Sequence, residues 1–213
     1  MDIISIFFGA LKPLLWLLPL ILIAAVLKSA RFKGWVGESL VSSKVGARLP
    51  PGEYHAFDNV TLPDGNGTTQ IDHLYVSRYG VFVVETKNMA GWIFGDENQA
   101  QWTQSIYKRK SRFQKPIRQN YKHIKVLEAL LGIPLSRLHS VIVFTGDSTF
   151  KTPLPPYVCT LANFTDYILS FRRPVLSDAE VSDIRRKIEN SRLEDNGATR
   201  GAHVQNLRNR HKR

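Results

Sequence analysis

The amino-acid sequence predicts a mixed α/β (α+β) domain, a central mixed β-sheet flanked by helices, preceded by an N-terminal transmembrane helix. The first observation behind this is an almost wholly apolar run, Ile3 to Leu27, interrupted by one charge, Lys12. The second is a pair of apolar strand-like segments joined by a short turn, QIDHLYVSRYGVFVVETKN at residues 70–88. The third is a switch to helical spacing from Lys115 to Leu131, through Ile117, Tyr121, Ile124, Leu127, Leu130 and Leu131.

About 20 apolar residues cross a bilayer, so the opening run is long enough. Pro13 and Pro19 are tolerated in a membrane helix, and Lys12 can snorkel from a span that begins near Pro13. A shallow or re-entrant insertion is the alternative. A cleaved signal peptide fits poorly, because Asp2 stands where a basic start is needed. Lys28, Arg31 and Lys33 follow the run, which by the positive-inside rule places the rest of the chain in the cytoplasm. The expected organisation is a membrane anchor over 1–30, a folded domain over 31–193 and a basic, disordered tail over 194–213, in a single-pass protein of a bacterial inner membrane.

Next, GWVGESLVSSKVGARL reads as an amphipathic helix with Trp35 or Val36, Leu40, Val41 and Val45 on one side, ended by Pro50, Pro51 and Gly52. YHAFDNVTL alternates as a strand, and PDGNGTT is turn chemistry leading into the hairpin of residues 70–88. GWIFGDENQAQWTQ suggests a second hairpin that turns at Asp96, Glu97 and Asn98, with Trp92 and Trp102 as its packing residues. Gly132 and Pro134 end the Lys115–Leu131 helix, and SVIVFTG reads as a short buried strand. LANFTDYILSF suits a helix, and the capping box Ser177 to Glu180 starts another.

A hydrophobic content of 43% supports a real core and excludes a chain disordered throughout. The net charge of +11 favours a polyanionic partner, nucleic acid or anionic lipid, without choosing between them. The single cysteine, Cys159, excludes an intramolecular disulfide and a Cys-based zinc site, and reads as a buried apolar side chain.

The first hairpin carries chemistry at its ends. Alternation puts Glu85 and Lys87 on one face, and a turn at Arg78 and Tyr79 sets Asp72 opposite Glu85 unless a bulge at Gly80 shifts the register. Facing Cβ atoms lie roughly 4.5–5.5 Å apart, so two carboxylates there repel unless a positive group relieves them. A hard divalent cation such as Mg²⁺ accepts one or two carboxylates together with phosphate and water. Lys87 would then hold a water or stabilise charge on an attacked phosphate. A solvated cross-strand ion pair would show the same spacing. His73, by alternation, faces the other way as a sheet-face histidine, and His55, His123 and His139 show no metal-ligand spacing.

GWVGE at residues 34–38, the 70–88 hairpin, GWIFG after it and KPIRQNYKHIKVLEALLGIP together resemble the NERD (nuclease-related domain) family, over residues 34–145. That family is placed in the restriction-endonuclease-like PD-(D/E)XK superfamily. The resemblance implies a sheet flanked by helices and Mg²⁺- or Mn²⁺-dependent hydrolysis of DNA phosphodiesters, with RNA as a second candidate. It makes Asp72 and Glu85 metal ligands, Lys87 the catalytic lysine, Glu38 an accessory acid and Gln119 a polar residue near the site.

YKRKSRFQKPIRQNYKHIK, residues 107–125, contains Lys108, Arg109, Lys110, Arg112, Lys115, Arg118, Lys122 and Lys125 and no acid. Such a cluster neutralises phosphates and gives salt-sensitive, sequence-independent binding to nucleic acid. Docking on anionic lipid is the competing use in a membrane-tethered chain.

Overall fold

The structure, a computed structural model, describes residues 16–65 and 67–194 and the isolated positions 197, 199, 201, 204 and 205. The expected tail falls outside the described residues apart from those isolated positions and Glu194; the isolated ones carry helical backbone. The chain divides into two compact units, 1–36 and 37–213.

The first unit holds helix α1, Leu18–Lys28, with Pro19 in its first turn, where the missing N–H costs nothing. None of its residues is buried. Ser29 ends it with extended backbone, φ −65° and ψ 146°. Residues 3–15 of the expected membrane span lie outside the described residues. Among the described residues no helix is long and apolar enough to cross a membrane. At 11 residues, α1 extends about 17 Å, short of a hydrocarbon core of about 30 Å.

Helix α2, Ala30–Arg48, continues into the second unit. It buries Val41 and Val45 as expected, whereas Trp35 and Leu40 are exposed. In the second unit the strands are β1 His55–Asp64, β2 Gly67–Ser77, β3 Gly80–Lys87, β4 Gly91–Phe94, β5 Gln101–Ile106 and β6 Arg109–Gln114. Helix α3, Pro116–Leu131, precedes β7 Leu138–Phe144, β8 Ser148–Phe150 and β9 Val158–Thr160. Helices α4, Phe164–Leu169, and α5, Asp178–Ser191, close the fold. The capping box of α5 is fully made: Glu180 N–H donates to Ser177 Oγ, and Glu180 Oε2 accepts from Ser177 N–H.

One central sheet was expected; the described residues build two. The first has the order β1-β2-β3-β7-β9, antiparallel through β3 and parallel from β3 to β9. The second has the order β6-β5-β4-β8. The expected second hairpin is present as β4 and β5, but the basic stretch after it adds β6 as an edge strand. Lys and Arg on an edge discourage pairing with another chain, so a strand made of such residues is compatible with that position.

Each face of the first sheet is covered by helices. On one, Leu74, Val76, Val81 and Val83 pack with Ile124, Leu127 and Leu131 of α3 and Val181, Ile184 and Ile188 of α5. On the other, Tyr75, Phe82 and Val84 meet Val41 and Val45 of α2 and Phe164 and Ile168 of α4. Burying a side chain of this kind contributes about 1.5–3 kcal/mol, which is why the apolar stripes fix the layers. The second sheet packs Ile93 and Trp102 on Ile142 and Phe144 of β7, and Cys159 is buried as expected. Trp102 is therefore the packing residue it was expected to be, while Trp92 is 54% exposed.

Candidate active site

Two local features set the site. A two-residue turn, Arg78 and Tyr79, joins the Ser77–Gly80 pair, and Gly80 adopts φ 124°, a conformation that side chains rarely tolerate. The register then runs without a bulge through Leu74 with Val83 to His73 with Val84. The paired residues end there; Asp72 and Glu85 are the residues that flank this last pair, on β2 and β3. The second feature is Gly37. A Cβ there would stand 2.7 Å from Thr145 Oγ1 and 3.0 Å from Asn88 Cβ, so only glycine lets α2 approach the ends of β3 and β7 this closely. The next residue on that helix is Glu38.

Glu85 is 1% exposed, and both of its oxygens are engaged. Lys87 Nζ donates to Oε1 at 2.5 Å, and His123 Nε2 lies 3.3 Å from Oε2. Burial pushes the Glu85 carboxyl up, but the Lys87 charge and the His123 contact outweigh it and hold the group below its ordinary value. Lys87 Nζ also donates to Gln119 Oε1 at 3.0 Å. The ammonium is thus fixed between strand and helix, and α3 brings Gln119 to the site the sequence assigned it.

Asp72 behaves differently. Its Oδ2 accepts the Thr86 N–H at 2.7 Å. Burial first, then the neighbouring charges of Glu85 and Glu38, push its carboxyl well above the aspartate range. Glu38 is also raised, mainly by burial and opposed by His73 and Asn59, with Glu85 a weaker neighbour. The acids crowd one another, and the Lys87 ammonium, bonded to Glu85 and Gln119, relieves Asp72 only in part.

Carboxylate oxygens are the donors that Mg²⁺ and Mn²⁺ prefer, and a cation favours the charged form of an acid that burial and like charges push up. Among the described residues there is no group of three or more His, Cys, Asp or Glu side chains that could hold a metal ion. Asp72 and Glu85 offer carboxylate oxygens, the donor type a hard cation takes alongside water and phosphate.

His123 was missed in the sequence. In the tautomer with hydrogen on Nε2 it donates to Glu85, and Nδ1, 2.8 Å from Thr69 Oγ1, accepts the threonine hydroxyl. The available signal was its spacing: His123 lies four residues after Gln119, hence on the same side of α3. Asn120 is wholly buried and donates to Val83 O and Ser140 Oγ, both at 2.8 Å, tying α3 to β3 and β7. His73 lies on the opposite face of the sheet, as expected, with Nδ1 2.7 Å from Asp58 Oδ1. Ser42 Oγ donates to Asp58 Oδ2 at 3.1 Å, and these contacts outweigh burial to lower the Asp58 carboxyl.

The basic residues do not form one face. Arg109, Lys110 and Arg112 are on β6, and Lys108 precedes it. Lys115 caps α3 and donates to Glu97 O. Arg118 lies on α3, but Lys122 pairs with Asp64 at 2.7 Å and Lys125 pairs with Glu128.

Residues 33–145, just over half of the chain, match the family model described as Nuclease-related domain, NERD. An uncharacterized protein of Bacillus anthracis is 51% identical over 102 residues, which are 47% of this chain and 48% of the relative. The chain thus spans about half the length of that relative. No solved structure matches it. The match spans every residue of the site, from Glu38 to His123, and on that footing the chain belongs to the nuclease-related domain (NERD) family.

Proposed function

We propose that this protein is a metal-dependent phosphodiesterase of PD-(D/E)XK type, acting on DNA in preference to RNA, at the cytoplasmic face of a bacterial inner membrane. The observation that carries this is a geometry: Lys87 is held by Glu85 at 2.5 Å and Gln119 at 3.0 Å at the end of β3, where Asp72 accepts the Thr86 N–H and is crowded by Glu85 and Glu38. Charges of one sign crowded at a sheet end cost stability, and a bound cation offsets that cost. Asp72 and Glu85 would hold Mg²⁺ or Mn²⁺, which when bound polarises a phosphoryl oxygen and acidifies a water.

The protein's own groups do the rest. Lys87 presents positive charge where negative charge grows on the attacked phosphate. Gln119 and Glu85 hold its ammonium, and His123 holds Glu85 by the other oxygen. Glu38 adds negative charge near Asp72, and the strand and helix cations neutralise the nucleic-acid backbone. Membrane attachment is supported by the exposed apolar side chains of α1 and by Lys28, Arg31 and Lys33 after it.

One observation favours a second reading. Lys87 already neutralises Glu85, as a structural ion pair would, which suits a nucleic-acid-binding or anionic-lipid-binding protein that keeps the fold without turnover. Full-length protein incubated with plasmid and linear DNA, with and without Mg²⁺ or Mn²⁺, separates the two. The enzyme cleaves only with metal and stops in Asp72→Ala and Lys87→Ala. Undiminished cleavage in Lys87→Ala, or none in the wild type, favours the second reading.

A further inference from the structure

The second sheet has an outer face of which the nuclease reading uses only the β6 cations. Its four strands contain no Asp or Glu and three cations, all on β6. Paired residues share a face, so the register sorts the sheet into two sides. Ile93, Trp102 and Phe113 point into the core. The opposite side carries two rows across the strands: Lys110, Ser105, Trp92 and Thr149 in one, Arg112, Thr103 and Phe94 in the other. Each row sets a cation at the β6 edge, a small hydroxyl residue between, and an aromatic ring on β4. Between ring and cation, Ser105 is buried and Thr103 is half-buried.

Trp92 is the centre of this surface. Lys151 Nζ lies 4.6 Å from its ring centroid, and the side chain is 54% exposed even so. Edge protection against aggregation explains cations on β6. It explains neither an exposed indole on an inner strand nor Lys151, a cation from the far side of the sheet, over that indole.

We infer that this face binds single-stranded nucleic acid, with a base stacked on Trp92 and the flanking phosphates met by Lys110, Arg112 and Lys151. An aromatic ring between cations suits an unpaired strand, since every base has a π-face and only an unpaired base can offer it. In a duplex that face is already stacked. Strands lie about 4.8 Å apart, so Trp92 and Lys110, two strands apart, are separated by about 10 Å, a span that fits one backbone with its base. Tyr107, at the tip of the β5–β6 hairpin, is 99% exposed and extends the same edge.

The platform also lies beside the proposed site. Trp92 follows Lys87 by five residues, at most about 18 Å along an extended chain. Phe144, the register partner of Lys87, stacks on Trp102 of the same sheet with centroids 6.3 Å apart. To meet Lys87, a strand held on Trp92 would have to cover a distance within that reach. That last step rests on the nuclease reading; the binding does not.

The test is fluorescence anisotropy with full-length protein in EDTA, so that no cleavage occurs. The probes are labelled deoxythymidine and uridine strands of about 12 nucleotides, within the range of single-strand site sizes. A blunt duplex and phosphatidylserine vesicles serve as the other arms. The single strands bind more tightly than duplex or vesicles, Trp92→Ala weakens them about tenfold or more, and Trp92→Phe retains most of the affinity. Unchanged single-strand affinity in Trp92→Ala, or equal or tighter binding to duplex or vesicles, overturns the inference. If Trp92→Ala does not fold, the same is read from quenching of tryptophan emission by the strand and its loss in Lys110→Ala with Arg112→Ala. Trp92-dependent binding without metal-dependent cleavage leaves the platform standing and removes the nuclease reading; cleavage with Trp92-independent binding does the reverse.

Discussion

The two sheets treat charge in opposite ways. At the end of β3, Glu85 is buried with a donor on each oxygen, and Asp72 and Glu38 are pushed from their ordinary proton affinities. On the second sheet, Lys110 and Arg112 stand exposed on an edge strand, and no acid on their own sheet answers them. Charges of the first kind are strongly coupled to one another because water does not screen them. Those of the second kind are weakly coupled inside the protein and available to an outside anion. The buried set is thus suited to chemistry on one phosphate, the exposed set to holding many.

If the two regions divide the work this way, substitutions in them should fail differently. Lys87→Met has the largest expected effect, a loss of about 10²–10³ in the single-turnover rate of metal-dependent cleavage at saturating DNA. Arg112→Ala should leave that rate alone and weaken binding. A rate loss in both variants would erase the distinction.

His123→Ala comes next. It strips one donor from a buried carboxylate and leaves Thr69 without its ring partner, at a cost of about 2–3 kcal/mol. In a chain of this size that lowers Tm by about 4–12 °C. Arg109→Ala, on the exposed edge, should stay within about 0.5 kcal/mol of wild type in the same melt.

Asp72→Asn should move stability the other way while abolishing cleavage. A raised carboxyl contributes stability that is fully present below the unfolded pKa, about 3.9, and is lost as pH rises through the higher folded value. At neutral pH the asparagine relieves the crowding, and Tm rises by about 2–4 °C for each kcal/mol gained. The gain disappears as pH falls to where the wild-type carboxyl is protonated in both states. Mg²⁺ should raise Tm in the wild type and not in this variant. The smallest effect is expected from Lys110→Ala, which should make the salt dependence of DNA binding shallower by about one unit of slope.

Much of the first region could be read in advance. The two-residue turn and strict alternation from Leu74 to Val83 leave one register that buries the apolar face, and that register runs to the His73–Val84 pair, next to Asp72 and Glu85. Glu85, Lys87 and Gln119 meet as expected because each sits on an element with a clear period. His123 shares a side of α3 with Gln119, but its contact with Glu85 depends on how the helix lies on the sheet. Periodicity does not report that. The second sheet was harder still. Trp92 and Trp102 both sit in short strands, and only the docking of that sheet on Ile142 and Phe144 decides which ring is covered. The basic stretch was read as a single cluster, but β6 and α3 separate its members, and Asp64 and Glu128 take two of them.

What the sequence determined by itself is whatever follows from spacing along one or two adjacent segments: the hairpin, its charged end, the helix after it and the capping box. Apolar stripes and turn residues specify these locally, and burial leaves them little choice. Tertiary structure decided which buried acid gains a lysine and a histidine and which is left crowded. It also decided which tryptophan faces water. Those outcomes turn on distances between elements remote in sequence, and electrostatic coupling and burial both change steeply with such distances.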